Sequence, residues 1–439
     1  MILIYTHSIT PRINYTIDLI FNTVLHCPYS ITHDELFFSK SILPKIAYTN
    51  ERKGFDVFLK SDILLFESNI KHKLPTSNEV YIGFPQFFVT NNNSFLPYDL
   101  FATVFYFATR YEEYLQYDGD KHQRFQAEQG LSFKYQILNK PFLNILIQDF
   151  ATKLKQQFPQ LEFKQRTFNF LSTIDIDNAF AYANKGLKRN VGGLLKDITS
   201  FKFNQITNRI KSNIKSNNDP YNTFDFIHSL SEESKTTLHY FVLIGNYSDY
   251  DKNPHYQNKG FRSLLKSLSL KHSLGLHPSY ESFNNLEKIG IEKKRLENII
   301  EKKVTSARCH FLRINFPETY RAFINAGITD DYTMIYASQP GFRTGLCVPY
   351  KWFDLQKNES TNLTIHPSTV MEGTLRDYNK LSPTQANECI NELMQEVKNN
   401  GGEFVSIWHN DSFVAKQQKW IDVYKTMLKA PPNLPNSDK

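Results

Sequence analysis

Short apolar runs separated by polar turns occupy the first part of the chain. They are MILIY, DVFLK, DILLF and YIGFPQFFV, and each has the length and composition of a strand. A longer aromatic stretch, LFATVFYFATRYEEYL, is predicted to be helical, and PFLNILIQDFATKLKQQF has apolar residues at helical spacing before the chain enters FNFLSTIDID. The pattern predicts an α/β domain over residues 1–164, with a boundary near residue 165.

Strands and helices alternate from residue 165 onward. The predicted helices include FRSLLKSLSLK, KKRLENIIEKKV and PTQANECINELMQEVKNN, the last closed by Gly401 and Gly402. The predicted strands are FNFLSTID (168–175), TLHYFVLIG (237–245), SLGLH (273–277), ARCHFLRI (307–314), YTMIYA (332–337), NLTIH (362–366) and EFVSIWHN (403–410). Such alternation predicts a mostly parallel sheet, open or closed into a barrel, over residues 165–430.

The composition is that of a globular protein. Hydrophobic residues make up 41% of the 439 residues, with 36 Phe and 24 Tyr among the apolar and aromatic residues. No stretch approaches the ~18 to 20 apolar residues that cross a bilayer, and the start MILIYTHSITPRINYT lacks the pattern of a signal peptide. The four cysteines are scattered and form no CxxC pair, which argues against a thiolate zinc site or a disulfide scaffold. A cytoplasmic location is therefore expected.

The formal charge of +7, from 51 basic and 44 acidic residues, is a mild excess. It permits an anionic partner without requiring one. We expect no nucleic-acid partner, and the main concentration of Lys and Arg falls in residues 185–215, among Asn, Ser and Gly. A solvated basic helix or mobile insertion is the simpler interpretation of this segment. Contact with a polyanion or with a membrane surface through 185–215 is the alternative.

Side chains suited to catalysis lie at the ends of the predicted strands. Asp175 and Asp177 stand two apart in LSTIDIDN, which aims both carboxylates at the same side of a strand. Like charges so placed repel, so a cation, a shared proton or water must offset the repulsion. The other residues near strand ends are His277, Arg308, His310 and His409. If these strands are neighbours, carboxylates and imidazoles meet at one mouth, as a catalytic zinc or similar divalent ion requires.

Five motifs in order, TIDID, GLHPSY, RCHFLR, GFRTG and IWHN, resemble those of the polysaccharide deacetylase superfamily (NodB homology, carbohydrate esterase family 4). The chain is more closely similar to a bacterial branch with an extra N-terminal domain of unknown function, which ITPRINYT and RYEEYLQYDGDKHQRF resemble. The resemblance covers roughly residues 165 to 415. It implies a distorted (β/α) barrel preceded by an α/β N-terminal domain.

The same resemblance implies an activity, which is metal-dependent removal of acetyl groups from N-acetylated or O-acetylated sugars or polysaccharide precursors. By that resemblance Asp175 is the general base, Asp177 a metal ligand and His409 the general acid. Arg308 would pair with Asp175 and keep it ionised. The implied cofactor is a divalent metal, with zinc the first choice.

Several positions depart from the family pattern. The family places its two aspartates side by side, whereas Ile176 separates them here, and its HxxxH motif would put a second histidine at Glu281. His272 has the wrong spacing to replace it. His310 stands where the family usually has proline, and as residue i+2 from Arg308 it shares a strand face with that arginine. The predicted metal set is therefore Asp177, His277 and His310, with Glu281 as the substitute ligand.

Three residues are candidates for binding substrate. Arg343 in PGFRTG would clamp a carboxylate or phosphate on a sugar, or form a turn-stabilising salt bridge with Asp330 or Asp331. Trp408 and Tyr336 would stack on a sugar ring, or simply pack in the core. Glu112 and Glu113 are expected to form local ion pairs. Structural roles are expected for His239, His255 and His366.

Three functions compete at this point. The first is the metal-dependent deacetylase, and the second is a catalytically degenerate barrel that binds a glycan or a partner protein. The third is a glycoside hydrolase that uses Asp175 and Asp177 as its acid and nucleophile. The third is the weakest, because such carboxylate pairs normally come from different strands.

Overall fold

The computed structural model describes the 439-residue chain except for residues 53, 54, 56, 72, 73, 91, 92, 165 and 430–439. The predicted domain boundary at 165 and the predicted domain end at 430 lie outside the described residues. The division into 1–164 and 165–430 stays a prediction.

A four-stranded parallel sheet, with strand order β2-β1-β3-β4, forms the centre of the N-terminal part. Its strands are β1 (Ile2–Tyr5), β2 (Tyr29–Thr32), β3 (Lys45–Thr49) and β4 (Phe58–Lys60). A small hairpin follows, made of β5 (Val80–Tyr81) and β6 (Phe84–Pro85). The predicted strand DILLF is wrong, because Asp62 accepts a hydrogen bond from the N–H of Leu64 and starts a 3-10 helix at Ile63–Phe66.

The helices of this part pack around that sheet. They are α1 (Pro11–Ile17), α2 (Glu35–Lys40), α3 (Leu100–Ala108), α4 (Leu131–Lys134) and α5 (Phe142–Gln157). Every residue of α3 is buried, as its continuous apolar sequence requires. From α1, Arg12 donates to Oδ1 of Asn358 (3.0 Å) and Tyr15 donates to the carbonyl of Lys351 (2.9 Å). These bonds attach the N-terminal part to the larger sheet that follows.

The larger sheet has nine strands in the order β12-β13-β11-β10-β9-β8-β7-β15-β14. All neighbouring pairs are parallel except β12 with β13, so the prediction of a mostly parallel sheet is confirmed. The strands are β7 (Asn169–Ile176), β8 (Thr237–Leu243), β9 (Ser273–His277), β10 (Ser306–Ala307), β11 (Asp330–Asp331), β12 (Tyr350–Asp354), β13 (Glu359–Ile365), β14 (Ser368–Met371) and β15 (Glu403–His409). No strand pairing among the described residues joins β12 to β14, and closure into a barrel stays a prediction.

Eight helices are assigned among the described residues of this part. They are α6 (Leu187–Thr199), α7 (Phe203–Ile214), α8 (Phe224–Ser234), α9 (Lys259–Lys271), α10 (Glu287–Ile300), α11 (Glu318–Asn325), α12 (Pro383–Asn400) and α13 (Gln418–Leu428). Helix α12 starts with a capping box of Ser382 and Gln385 and ends at Gly401, whose φ of 61° confirms the predicted glycine stop. None of the described helices has the length and apolar composition needed to cross a membrane.

The sheet curls so that side chains from separated strands meet on its inner face. Leu171 of β7, Phe241 of β8 and Val405 of β15 form one apolar cluster with Tyr332, which follows β11. Leu312, Ile335, Ala337 and Ile407 form a second cluster. The residues after β10 and β11 therefore lie close to β15, and the carboxyl ends of the strands gather at one rim.

Two predicted strands prove much shorter than the sequence indicated. The strand predicted at 307–314 ends at Ala307 because Phe311 and Leu312 have φ of 59° and 56°, which turns the chain sharply. The strand predicted at 332–337 is irregular, and only Asp330–Asp331 just before it pairs in the sheet. The strands β12 and β14 were not predicted.

Candidate metal centre

The two aspartates at the end of β7 face the same side of the sheet, as their spacing predicted. Asp175 is the last-but-one residue of the strand, and Asp177 follows its end. Nε2 of His277 lies 3.8 Å from Oδ2 of Asp175 and 3.1 Å from Oδ1 of Asp177. The Asp175 side chain is 4% exposed and the Asp177 side chain 36% exposed, so only the second carboxylate opens toward the mouth.

His277, the last residue of β9, presents one ring nitrogen to this pair. Its Nδ1 lies 2.5 Å from the carbonyl oxygen of Arg308. Since a carbonyl can only accept, Nδ1 carries the proton, and in the neutral ring Nε2 keeps its lone pair. That lone pair faces an oxygen of Asp177, an arrangement that a cation between the two atoms would stabilise.

His310 reaches the same carboxylate from the neighbouring segment. The parallel hydrogen-bond pattern continues past β10, with the N–H of Arg308 donating to Leu276 O (3.0 Å) and that of His310 to Pro278 O (3.1 Å). The side chains of Arg308 and His310 therefore lie on the same face, as their spacing of two residues predicted. Nε2 of His310 lies 3.4 Å from Oδ2 of Asp177, and Nδ1 lies 2.9 Å from Oδ1 of Asp251.

Asp251 orients the ring of His310 from behind. It is fully buried, and it also accepts hydrogen bonds from the N–H of Tyr280 (2.9 Å) and the hydroxyl of Ser248 (2.9 Å). Burial alone would raise the pKa of Asp251, but the hydrogen bond and charge of His310 outweigh it, and the pKa is lowered. A carboxylate behind a histidine ligand is a common feature of zinc sites.

His409, the last residue of β15, is the third imidazole at the mouth. Its Nε2 lies 3.7 Å from Oδ2 of Asp177, and its Nδ1 lies 2.8 Å from Oε1 of Glu372. The same Glu372 oxygen accepts from the N–H of His409 (2.9 Å) and the hydroxyl of Ser412 (2.7 Å). Burial would raise the pKa of Glu372, but the charge and hydrogen bond of His409, the charge of Arg376 and the hydrogen bond of Ser412 together outweigh burial, and the pKa is lowered.

Arg308 pairs with Asp175, as the family resemblance implied. Its Nη1 donates to Oδ1 of Asp175 (2.6 Å), its Nε donates to the carbonyl of Tyr332 (3.0 Å), and its guanidinium lies 4.4 Å from the ring centroid of Phe241. The side chain is fully buried. A buried guanidinium held on three sides fixes the position of the Asp175 carboxylate.

The charges at the mouth reinforce one another. Burial would raise the pKa of Asp177, but the charges of His310 and His409 hold it well below its usual range. Burial opposes protonation of His310, yet Asp177 and Asp251 raise the pKa of His310 to about 9. Against the same opposition from burial, Glu372 and Asp177 raise the pKa of His409 well above its usual value.

A divalent cation fits the donor atoms of this mouth. Asp177, His277 and His310 each offer one ligand atom, and these atoms all lie within 4.8 Å of one another. Oδ1 of Asp177 is buried and has no hydrogen-bond partner among the described residues. One carboxylate and two imidazoles leave room for further ligands, which is the pattern of a catalytic zinc site. The proposed substitute Glu281 is half exposed, and its carboxylate lies 3.7 Å from Lys288.

The other histidines named in the sequence have partners elsewhere. His239 contacts the hydroxyl of Ser306 (2.9 Å), and His366 contacts Glu403 (2.8 Å) and Asp330 (3.2 Å). His255 is exposed, and its ring accepts from the N–H of Gln257 (3.3 Å). These contacts agree with the structural roles expected for them.

Arg343 and Tyr336 belong to a buried arginine–glutamate cluster, defined here as Arg110, Glu112, Glu113 and Arg343. Arg343 donates to both oxygens of Glu113 (3.0 and 2.5 Å). The predicted pairing of Arg343 with Asp330 or Asp331 is therefore wrong. Arg110 donates to Glu113 (2.7 Å), to Glu112 (2.8 Å) and to the hydroxyl of Tyr336 (2.6 Å), so the expected local ion pairs are present.

Trp408 lies on the opposite face of β15 from His409 and Ile407. It is 1% exposed and packs against Phe413 and Tyr424, with ring centroids 5.9 and 4.9 Å away. Burial makes the indole unavailable to a sugar, so the stacking role predicted for Trp408 is not supported. Core packing accounts for this residue.

An aromatic cluster lies beside His310 instead, defined as His122, Tyr250, Tyr280 and Phe311. Tyr250 and Tyr280 stack with centroids 4.1 Å apart, and Phe311 lies 4.7 Å from the ring of His310. Tyr250 is 44% exposed, so one aromatic face next to the centre is open to a ligand. No motif in the sequence indicated this cluster.

A cavity of about 260 Å³ adjoins the turn after His310, because Leu312 lines it. Half of its polar lining comes from the N-terminal part, and Tyr336 and Arg343 lie at its wall with their polar groups already paired. Larger cavities lie elsewhere, and the two largest of those found among the described residues are one of about 600 Å³ lined by Asp62 to Tyr111 and one of about 620 Å³ at the amino ends of β8 and β9. Neither is lined by the three imidazoles.

Asp251 and Glu372, which hold the Nδ1 atoms of His310 and His409, were not predicted from the sequence. Glu372 directly follows β14, a strand end that an assignment of STVM as a strand would have revealed. Asp251 lies in the loop SDYDKNP, eight residues after β8 ends, and nothing in the sequence distinguishes it from Asp249.

Comparison with known proteins gives one family match, to a family of unknown function (DUF7033) over residues 2–159. No curated protein matches the chain. A putative polysaccharide deacetylase from Mycobacterium smegmatis is similar in structure, at 12% identity over 60% of this chain and 84% of that one, with a TM-score of 0.40.

Two further solved structures have similar coverage. The polysaccharide deacetylase Bc1974 from Bacillus cereus shares 14% identity over 60% of this chain and 86% of that one, with a TM-score of 0.28. The allantoinase Puue shares 9% identity over 60% of this chain and 82% of that one, with a TM-score of 0.37. These scores are low, and the chemistry assigned to this chain rests on its own side chains.

Proposed function

We propose that this protein is a metal-dependent hydrolase of the polysaccharide deacetylase type, which removes acetyl groups from an acetylated sugar or polysaccharide precursor. One observation carries the proposal. The Nε2 atoms of His277, His310 and His409 all point at Asp177, while each Nδ1 is held by an oxygen behind the ring. Three rings anchored in this way present nitrogen toward a common point, as metal ligands and proton donors must.

Asp177, His277 and His310 would hold the divalent cation, with zinc the first choice for this donor set. When bound, the cation would supply Lewis-acid chemistry, polarising the acetyl carbonyl and making water more acidic. Asp175, held in place by Arg308, acts as the general base and takes a proton from the water that attacks the carbonyl carbon.

His409 acts as the general acid. The high pKa of His409, which Glu372 and Asp177 maintain against burial, keeps its imidazole protonated at neutral pH. As the bond between the carbonyl carbon and the sugar nitrogen breaks, His409 gives its proton to the departing nitrogen and acetate is released. Glu372 holds Nδ1 and so fixes the direction in which Nε2 donates.

The surroundings of the centre suit a sugar. The cavity of about 260 Å³ has polar side chains from the N-terminal part, including Asp120, Arg124 and Gln126. Tyr250 offers an exposed aromatic face beside His310, and aromatic rings commonly stack on the apolar faces of sugars. The N-terminal part would thus help to form the substrate site.

Metal content tests the centre directly. Purified protein equilibrated with zinc and then dialysed should retain about one zinc per chain, and Asp177→Ala should retain far less. His366→Gln is the matched control, because His366 is also held by carboxylates but lies outside the centre. Failure of wild type and Asp177→Ala alike to retain metal would contradict the proposal and favour the glycan-binding or partner-binding barrel.

Release of acetate from an N-acetylated glucosamine oligomer by the zinc-loaded protein tests the reaction. A chelator should abolish acetate release, and added zinc should restore it. Glycan binding that a chelator leaves unchanged, without acetate release, would again favour the binding function.

A further inference from the structure

Helices α6 and α7 form a hairpin that leaves the sheet at the rim of the metal centre. The hairpin follows β7, the strand that carries Asp175, and precedes α8. Near its base, Arg189 donates to the carbonyl oxygens of Lys252 (2.8 Å) and Asn253 (3.0 Å). Those residues directly follow Asp251, which holds His310. The hairpin is therefore attached to the same loop that orients a predicted metal ligand.

In this hairpin polar side chains are buried and large apolar side chains are exposed, which is the reverse of the usual packing of two helices. Its buried side chains are polar, with Asp197 the one buried residue assigned to α6 and Ser212 the one assigned to α7. Arg209 pairs with Asp197 (2.8 Å) and Asn190 bonds to Asn213 (2.9 Å), so polar contacts hold the two helices together. A hairpin made for water alone would bury its apolar stripe between the helices.

The apolar side chains of the hairpin face outward. On α6 they recur at helical spacing along one stripe, and on α7 they do the same, with Phe201 at the turn between the helices. The exposed apolar residues are Leu187 (80%), Val191 (47%), Leu195 (59%), Ile198 (50%), Phe201 (79%), Phe203 (69%), Ile210 (51%) and Ile214 (80%). So dense a set of exposed large apolar residues marks an interaction surface.

The hairpin and the residues that flank it carry a charge surplus equal to the net charge of the protein. Residues 185–218 contain eight basic residues and one acidic residue, a surplus of seven that equals the formal charge of the whole chain. The rest of the chain has as many acidic as basic residues. A partner that binds this surface must therefore offer negative charge and an apolar environment for the exposed side chains.

We infer that the hairpin docks in the plane of an anionic lipid bilayer, with its apolar stripes among the headgroups and its lysines at the lipid phosphates. A second copy of the chain would bring the same positive charge and be repelled. A nucleic acid would match the charge but leave the apolar stripes exposed to water. Docking at this place brings the rim of the metal centre to the membrane surface.

Sedimentation of the full-length protein with lipid vesicles tests this inference. Vesicles of phosphatidylglycerol and phosphatidylcholine should bind the protein at least ten times more tightly than vesicles of phosphatidylcholine alone, and raised salt should weaken binding. The double variant Phe201→Asp and Phe203→Asp should bind at least ten times more weakly. Its control, Phe37→Asp with Ile42→Asp, changes two exposed apolar residues elsewhere and should bind as wild type does.

A second pair of variants separates charge from apolar contact. Lys202→Glu with Lys211→Glu should weaken binding to the anionic vesicles at least tenfold, and Lys40→Glu with Lys121→Glu, which makes the same charge change at exposed sites elsewhere, should not. Circular dichroism and the urea unfolding midpoint establish that each variant is folded. Equal vesicle binding by wild type and hairpin variants would overturn the inference. So would a concentration-dependent dimer that the phenylalanine variant abolishes, since the occupant would then be a second copy.

Discussion

The metal centre and the arginine–glutamate cluster are both buried groups of charged residues, but they differ in what remains unpaired. In the arginine–glutamate cluster each guanidinium donates to carboxylate and carbonyl oxygens, and both oxygens of Glu113 accept hydrogen bonds from arginines. In the metal centre each imidazole Nδ1 points outward to a supporting oxygen, and each Nε2 points inward at Asp177. A cluster in which every charged group has a partner stabilises the fold. A cluster in which nitrogen and oxygen atoms remain unpaired can bind a ligand.

The sharpest way to test this contrast is to remove the charge of Asp175. Asp175→Asn keeps the size of the side chain but not its basicity, so acetate release should fall about 10²- to 10⁴-fold. Zinc retention should be close to that of wild type, because Asp175 is outside the predicted ligand set. Steady-state kinetics and metal analysis on the same preparation measure both. Full activity in Asp175→Asn would exclude it as the general base.

Breaking the arginine–glutamate cluster should affect stability instead. Glu113→Gln removes the carboxylate that two buried guanidinium groups share, and we expect the free energy of unfolding in urea to fall by about 3–5 kcal/mol. The folded variant should still retain zinc. Glu388→Gln, an exposed position on α12, is the control and should change stability by less than about 0.5 kcal/mol. Loss of zinc from folded Glu113→Gln would show that the two clusters are coupled.

Weakening the support behind His310 should affect metal affinity more than stability. Asp251→Asn keeps an acceptor for Nδ1 but loses the negative charge, and zinc affinity should fall about 10- to 100-fold. Competition with a chromophoric chelator measures it. Asp249→Asn changes an exposed aspartate two residues away in the same loop and should leave the affinity unchanged. An equal loss in both variants would point to a general effect of charge in this loop.

His366 provides the smallest effect, as a histidine satisfied on both sides outside the centre. Burial opposes its protonation, but hydrogen bonds to Asp330 and Glu403 raise the pKa of His366 to about 9. A pKa raised in the folded state adds stability that is complete below about pH 6.5, the unfolded value, and is lost as pH rises through about 9. The contribution should be about 1–3 kcal/mol.

Unfolding in urea at pH 6 and pH 10 tests this expectation. His366→Gln should lose less stability than wild type across that range, because the titrating group is gone. His255→Gln, at an exposed histidine, should show the same pH dependence as wild type. Identical curves for wild type and His366→Gln would rule out the ion pairs as a source of pH-dependent stability.

The local pattern of apolar and turn residues was sufficient to predict where most strands of the larger sheet lie. Strands β7, β8, β9, β13 and β15 are apolar runs bounded by turn residues, and their positions followed from the sequence. The rim was harder, because Phe311 and Leu312 adopt left-handed backbone that their side chains do not signal. The spacing of Arg308 and His310 still placed His310 correctly, because the parallel hydrogen-bond pattern continues beyond the strand to the N–H of His310.

Partners that are distant in sequence could not be predicted. Arg343 is paired with Glu113, 230 positions earlier, and His310 is supported by Asp251, 59 positions earlier. Such pairs depend on how separate segments pack, which a single sequence does not encode as a local pattern. The inner ligand set could be proposed because its members sit at strand ends, where the fold class itself brings them together.

The charge of the hairpin should also orient the protein near a charged surface. With the formal surplus at one end and a balanced body behind it, a negatively charged surface exerts a torque on the protein before any atoms touch. At physiological salt this alignment begins within about 8 Å, the screening distance, and reaches about 30 Å at 0.01 M. Ionic strength would therefore determine how often the hairpin is the first part of the protein to contact the charged surface.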